Sequence, residues 1–179
     1  MRCLVLGTSG AGKTTFAAEL ARRRGIGHIE LDSLYWLPGW KPRDPDDFRE
    51  RVARAAAGES WVADGNYSVA RGVLWPRATH VVWLNYGRHV VWSRILRRTV
   101  VRVAGRQPLW AGNRESLRKA FLSRQSILLW SFNTYAKNRV KYRELQADPR
   151  WAQLQWHELH TPRQAREFLR EQGCAAVPG

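Results

Sequence analysis

Cysteine, lysine and acidic residues are the scarce components of this chain of 179 residues. Two cysteines, Cys3 and Cys174, are too few for a disulfide framework or a thiolate metal site. Cys3 lies in an apolar run, where a reduced core thiol is expected. Long hydrophobic runs are absent as well. The longest uncharged stretch, 125–136, is too short and too polar to cross a bilayer. The apolar run after Arg2 stops at a glycine-rich loop after four residues, too short for a secretion signal. A disulfide scaffold and a membrane-spanning protein are thereby excluded, and a cytoplasmic location is the expectation.

The acids are outnumbered two to one. Thirty Lys and Arg face fifteen Asp and Glu, leaving a formal charge of +15 and a pI near 11.1. Such a balance favours anionic partners, whether nucleotide, nucleic acid or acidic membrane surface. Only five of the thirty are lysine, and a GC-rich coding background would produce much of that excess without any selection for polyanion binding. Hydrophobic residues at 44% and charged ones at 25% are globular values. The length suits one domain, 1–179, with a real core.

Short apolar runs alternate with helical patterns. Strands are expected at 3–6, 28–31, 61–63, 79–84 and 154–159. Helices are expected at 15–24, from Pro45 to about 57, at 88–104, over 115–145 and from Pro162 onward. Pro38, Gly39, Pro42 and Pro45 mark a loop, and 173–179 a frayed tail. This alternation implies an α/β fold with a doubly wound parallel sheet. The segment 105–113 interrupts the helices as a movable flap, so a lid is expected around 102–116.

Gly7-Thr8-Ser9-Gly10-Ala11-Gly12-Lys13-Thr14 is a complete G-x4-G-K-[ST] between a strand and a helix. Small residues let successive backbone N–H groups face phosphate oxygens, and the following helix adds its positive end. Gly7, Ser9, Gly10, Ala11, Gly12, Lys13, Thr14 and Thr15 are therefore the expected ATP contacts. Lys13 reaches the outer phosphates, and the Thr14 hydroxyl is a ligand for Mg²⁺.

Two aspartates lie at strand ends, where open α/β sheets bind ligands. Asp64 follows an apolar strand and suits Mg²⁺; Asp32 suits a substrate hydroxyl, as base or orienter. A cap or turn acid is the plain alternative for each. Trp36, Trp40, Asn66, Tyr67 and Arg71 surround them in sequence and are candidate substrate contacts, the aromatics by stacking and Arg71 by pairing with an anion. Core packing is the competing use of any one aromatic. Arg94, Arg98 and Arg102 share one helix face, and Arg106 lies in the flap. Positive charge on a hinged flap serves phosphoryl transfer, so Arg98, Arg102 and Arg106 join Lys13 and Asp32 as catalytic candidates. A solvated basic helix is the alternative. Arg139 is placed late enough to meet the nucleotide base.

With the loop, Leu31-Asp32-Ser33-Leu34-Tyr35-Trp36, Gly39-Trp40 and Asp64-Gly65-Asn66-Tyr67 in view, the chain resembles bacterial P-loop proteins related to adenylate kinase, the DNA topology modulation proteins. The likeness runs from Arg2 to about Leu169. It implies a three-layer nucleotide-kinase fold with sheet order 2-3-1-4-5 and a helical lid, Asp64 on the Mg²⁺ side and Asp32 on the acceptor side. Asn85-Tyr86 departs from the expected Asp followed by Pro. The family label implies an influence on DNA supercoiling, which need not be direct binding.

Two functions follow. One is an ATP- and Mg²⁺-dependent kinase for a small-molecule acceptor, such as a nucleoside, a nucleotide or another hydroxyl or phosphate compound. The other is a nucleic-acid-associated NTPase gripping phosphates through arginine-rich helices. The shortage of lysine and the lack of a DNA-reading motif weigh against nucleic acid. A basic helix lying on lipid is disfavoured too.

Overall fold

The computed structural model describes residues 1–104, 111 and 127–174, with side chains described for 1–97, 111 and 134–172. The apolar run after Arg2 becomes strand β1 (Arg2–Gly7), buried along nearly its whole length. The next helix, α1 (Lys13–Arg24), begins inside the glycine loop, two residues before its apolar pattern does. Gly25, in the left-handed region, ends it after three arginines that suit the negative end of the helix dipole. Strand β2 (Gly27–Glu30) follows.

Here the chain departs from expectation. Leu31 leaves the strand and starts a short helix, α2 (Leu31–Tyr35), whose first turn carries Asp32. The proline-rich stretch after it is not a plain loop. It forms a two-stranded antiparallel ribbon of β3 (Trp36–Leu37) and β4 (Lys41–Pro42), joined by a turn at Pro38–Trp40. A ribbon this short needs little pairing, and a proline at its edge costs no inner hydrogen bond.

Helix α3 (Pro45–Ala55) starts as its sequence dictates. Pro45 takes the first helical position, and the Asp44 carboxylate accepts from the Asp46 and Asp47 amides at 2.8 and 3.2 Å. The remaining elements are β5 (Trp61–Asp64), α4 (Arg71–Leu74), β6 (His80–Leu84), α5 (Arg88–Ala104), α6 (Ile127–Ala147), β7 (Gln155–Leu159) and α7 (Pro162–Cys174). A reciprocal cap opens α7. The Thr161 hydroxyl accepts from the Gln164 amide, while Gln164 Oε1 accepts from the His160 and Thr161 amides. Gly173 and Cys174 belong to this helix rather than to a frayed tail, because the cap and the buried Ala165, Phe168 and Leu169 fix it against the sheet. Of the expected helix over 115–145, the part before 127 lies outside the described residues.

Five parallel strands make the sheet, in the order β2-β5-β1-β6-β7. The labels differ from the expected 2-3-1-4-5 because the β3–β4 ribbon intervenes in the chain. With the ribbon counted apart, the sheet strands follow that order. Alternate side chains divide the core in two. Cys3, Val5, Val62, Val82 and Leu84 pack on one face with Phe16 and Leu20 of α1, Ile95 of α5 and Phe168 of α7. Leu4, Leu6, Ala63, Val81 and Trp83 pack on the other with Phe48 and Val52 of α3 and Tyr142 of α6. Burial pushes the Cys3 thiol up to about 12, which suits an inert core residue. This layering sets the C-terminal ends of β1, β2 and β5 side by side, with the glycine loop and Asp64 at one edge.

Candidate functional site

The loop between β1 and α1 is held open by its neighbours. Gly10 has φ +83°, and a Cβ there would lie 2.3 Å from Ile95 Cγ1. Only glycine permits both that backbone and that approach. The Ala11 amide donates to the Thr8 carbonyl at 3.2 Å, and Lys13 Nζ donates to the same carbonyl at 3.2 Å. At the loop's start the Asn66 side-chain amide donates to the Gly7 carbonyl at 2.7 Å. At its far side Arg94 donates from Nη1 to the Ala11 carbonyl at 2.8 Å, its guanidinium resting over the Tyr86 ring at 5.1 Å. Burial pushes the Tyr86 phenol upward, while the charge of Arg94 opposes that rise.

Beneath the loop, the Thr14 hydroxyl donates to Asp64 Oδ2 at 2.7 Å. The other carboxylate oxygen accepts from His28 Nε2 at 2.8 Å. Asp64 is only 3% exposed, so its charge is met by these two donors and not by bulk water. The Thr14–Asp64 pair fits a divalent cation: a hydroxyl and a carboxylate oxygen are hard donors of the kind Mg²⁺ takes. The loop fits phosphates by the glycine at a left-handed position, the lysine and the helix start. Among the described residues no cluster of three or more His, Cys, Asp or Glu forms a further metal site.

Above the loop opens a cavity of about 610 Å³. Its wall includes Ser9, Gly10, Ala11, Gly12, Lys13, Thr14 and Thr15, and it reaches Asp32 in one direction and Pro162 and Arg166 of α7 in another. Arg94 and Glu30 also line it. Glu19, on the same wall, is held down at about 2 by hydrogen bonds from Arg22 and Arg23, so it is anionic at neutral pH.

Asp32 accepts a hydrogen bond from the Tyr67 hydroxyl. Burial and the neighbouring Asp32 charge push that phenol well above its ordinary value, so Tyr67 stays a donor. From Tyr67 an aromatic row runs outward: Tyr35 at 4.4 Å, Trp36 at 4.9 Å from Tyr35, and Trp40 at 5.6 Å from Trp36. Trp40 has φ +58°, a left-handed conformation rare for a bulky side chain.

The sequence-predicted residues therefore divide. The expected loop contacts from Ser9 to Thr15, with Asp32, meet around one cavity, and Thr14 meets Asp64 beneath it. Trp36, Trp40, Asn66, Tyr67 and Arg71 are not in its described wall. Tyr67 touches Asp32, Asn66 is spent on the loop backbone, and Arg71 lies over the Trp75 ring at 5.5 Å. Arg139 lies outside it too, in a small neighbouring pocket with Thr8 and Asn85, its guanidinium 5.8 Å over the Tyr135 ring. Arg98 and Arg102 fall in α5 with their side chains outside the description, and Arg106 and most of the expected lid lie outside the described residues. Several residues at the site escaped sequence reasoning, among them Glu30 and Arg166 of the cavity wall, Arg94 and His28. Arg94 was visible only as one of several arginines on a helix face. His28 carried one signal, a polar residue at an inward position of a strand whose neighbours are apolar.

No protein-family model matches the chain, and no curated protein is similar to it in sequence. Solved structures share its fold. A sugar kinase from Janibacter sp. is 18% identical with a TM-score of 0.50, matching 97% of this chain and 94% of that one. A gluconokinase from Sinorhizobium meliloti is 19% identical, with a TM-score of 0.50 over 96% and 89%. A shikimate kinase from Acinetobacter baumannii, solved with shikimate, is 17% identical with a TM-score of 0.54 over 98% and 94%. The chain has the α/β fold of P-loop kinases, a five-stranded parallel sheet flanked by helices.

Proposed function

We propose that the protein is an ATP- and Mg²⁺-dependent phosphotransferase acting on a small acceptor. One observation carries this reading: the phosphate loop and Asp32 line the same cavity, which puts a phosphate cradle and a carboxylate within one cleft. The fold's occurrence in sugar, gluconate and shikimate kinases supports it.

In this reading Lys13 and the loop amides from Ser9 to Thr15 hold the triphosphate, and Arg94 adds positive charge at the loop's far side. Thr14 and Asp64 are the residues that would hold Mg²⁺, whose charge offsets that of the phosphates. Asp32 accepts the proton of the acceptor hydroxyl or orients it, with its rotamer set by Tyr67. Arg98, Arg102 and Arg106, on α5 and the lid around 102–116, neutralise the migrating group. Trp36, Trp40, Asn66, Tyr67 and Arg71 shape the acceptor side, and Arg139 the base side. The likeness to DNA topology modulation proteins remains part of this proposal. So does a cytoplasmic location; no described helix is long and apolar enough to cross a membrane.

ADP release measured with nucleosides, nucleotides and small hydroxylated metabolites tests the reading. Stimulation by an acceptor is expected, falling at least about a hundredfold in Asp32→Asn, as loss of general acid–base catalysis does. Turnover raised by DNA or RNA alone, with no acceptor effective, would instead favour the nucleic-acid-associated NTPase.

A further inference from the structure

We propose that His28 is a positioning residue that locks the Asp64 carboxylate toward Thr14 and so sets the affinity of the site for its divalent cation. The inference rests on reading Thr14 and Asp64 as the metal donors.

The geometry begins with the register of two strands. β2 and β5 run parallel, His28 beside Val62 and Glu30 beside Asp64. Side chains two residues apart share a face, so His28 and Asp64 lie on the same side of the sheet, one step apart along it. On this face the inner strands present Cys3, Val5 and Val62, each fully buried. An aliphatic side chain at 28 would continue that apolar row. The imidazole instead spans the step along the strand and ends in a donor, Nε2, 2.8 Å from Asp64 Oδ1.

Both oxygens of Asp64 are thereby committed. Thr14 of α1 takes Oδ2 from one side, and His28 of the edge strand takes Oδ1 from the other. A carboxylate accepts only, so the histidine nitrogen carries the proton in this pair. Two donors on separate elements leave the carboxylate one orientation, with Oδ2 facing the phosphate loop. His28 is itself partly buried, its side chain 21% exposed, so water competes weakly for the bond. Hydrogen-bond partners of metal-ligating carboxylates ordinarily account for 10–100-fold in metal affinity. Without His28, Oδ1 is buried and unpaired, and the carboxylate gains by turning away from Thr14.

The test uses Mn²⁺, read by electron paramagnetic resonance, titrated into full-length protein saturated with a non-hydrolysable ATP analogue. His28→Ala is expected to weaken Mn²⁺ binding at least about tenfold. His28→Gln, whose terminal amide offers a donor at similar reach, is expected to restore it to within about threefold. Analogue affinity measured with the metal chelated should be the same in all three proteins, since no contact of the phosphate loop comes from His28. The proposal is overturned if His28→Ala binds Mn²⁺ like the wild type while Asp64→Asn does not. It is also overturned if Gln fails as badly as Ala, or if metal-free analogue binding falls in parallel, because His28 would then only fill space. If Asp64→Asn too leaves Mn²⁺ affinity unchanged, the metal reading of Asp64 falls along with this inference.

Discussion

Gly10 is the residue on which the loop's shape depends most, because it meets two independent constraints. Its φ of +83° disfavours any Cβ, and Ile95 occupies the space a Cβ would need. Gly10→Ala should therefore lower stability by on the order of 1–3 kcal/mol. It should also weaken ATP binding at least about tenfold, roughly 1.4 kcal/mol, as the loop is pushed off α5. Calorimetric titration together with thermal unfolding checks both. Single residues were legible in the sequence where their role is local. Lys13 and Thr14 announce themselves by spacing within eight residues. His28 and Arg94 reach the site only through strand register and a helix crossing, which no local spacing encodes. Among the described residues, five tryptophans pack in or against the core: Trp61, Trp75, Trp83, Trp151 and Trp156. Trp61 and Trp83 are fully buried, and Trp75 packs edge-on to Trp151 at 5.1 Å.

At the scale of elements, caps and breakers were read correctly where chemistry is unambiguous. Asp44-Pro45 and Thr161-Pro162 both open helices at the expected places. The β3–β4 ribbon was missed for a physical reason: its proline and glycine are the usual signs of a loop, and its pairing covers only two residues on each side. The β6–β7 pair carries a pH dependence. His80 and His157 stack with ring centroids 5.8 Å apart, and His157 packs on Phe168 at 5.0 Å. Burial is the main cause that lowers both pKa values, with mutual repulsion adding to the effect at His80. The sign follows from linkage: the unfolded chain takes up protons near the ordinary histidine value of about 6.5, whereas the folded protein resists until lower pH. Their contribution to stability is therefore full above about pH 6.5 and is lost as pH falls toward the lowered folded values. Thermal unfolding from pH 7 down to 5 should show a falling melting temperature, with a shallower fall in His157→Gln. An equal slope in that variant would mean that other groups govern the acid limb.

For the whole molecule, charge and fold give different kinds of information. Part of the arginine content is paired in place: on α3, Asp47 pairs with Arg43 and Arg51, and Asp46 with Arg49. The surplus of +15 is what stands after every acid is counted, and its sign alone does not choose among anionic partners. The alternation of strands and helices was enough to reach the doubly wound sheet, because parallel strands need crossovers. The surroundings of Asp32 were less legible, since its contact with Tyr67 and the aromatic row from Tyr67 to Trp40 join α2, the ribbon and the segment after β5, which meet only in three dimensions. The central claim is that this assembly moves the terminal phosphoryl of ATP to an acceptor. The most direct measurement follows a label on that phosphoryl group in the presence of an acceptor that stimulates ADP release, with Lys13→Ala alongside. The account predicts label on the acceptor, and none in the variant. Label released only as inorganic phosphate, or transfer undiminished in Lys13→Ala, would contradict it.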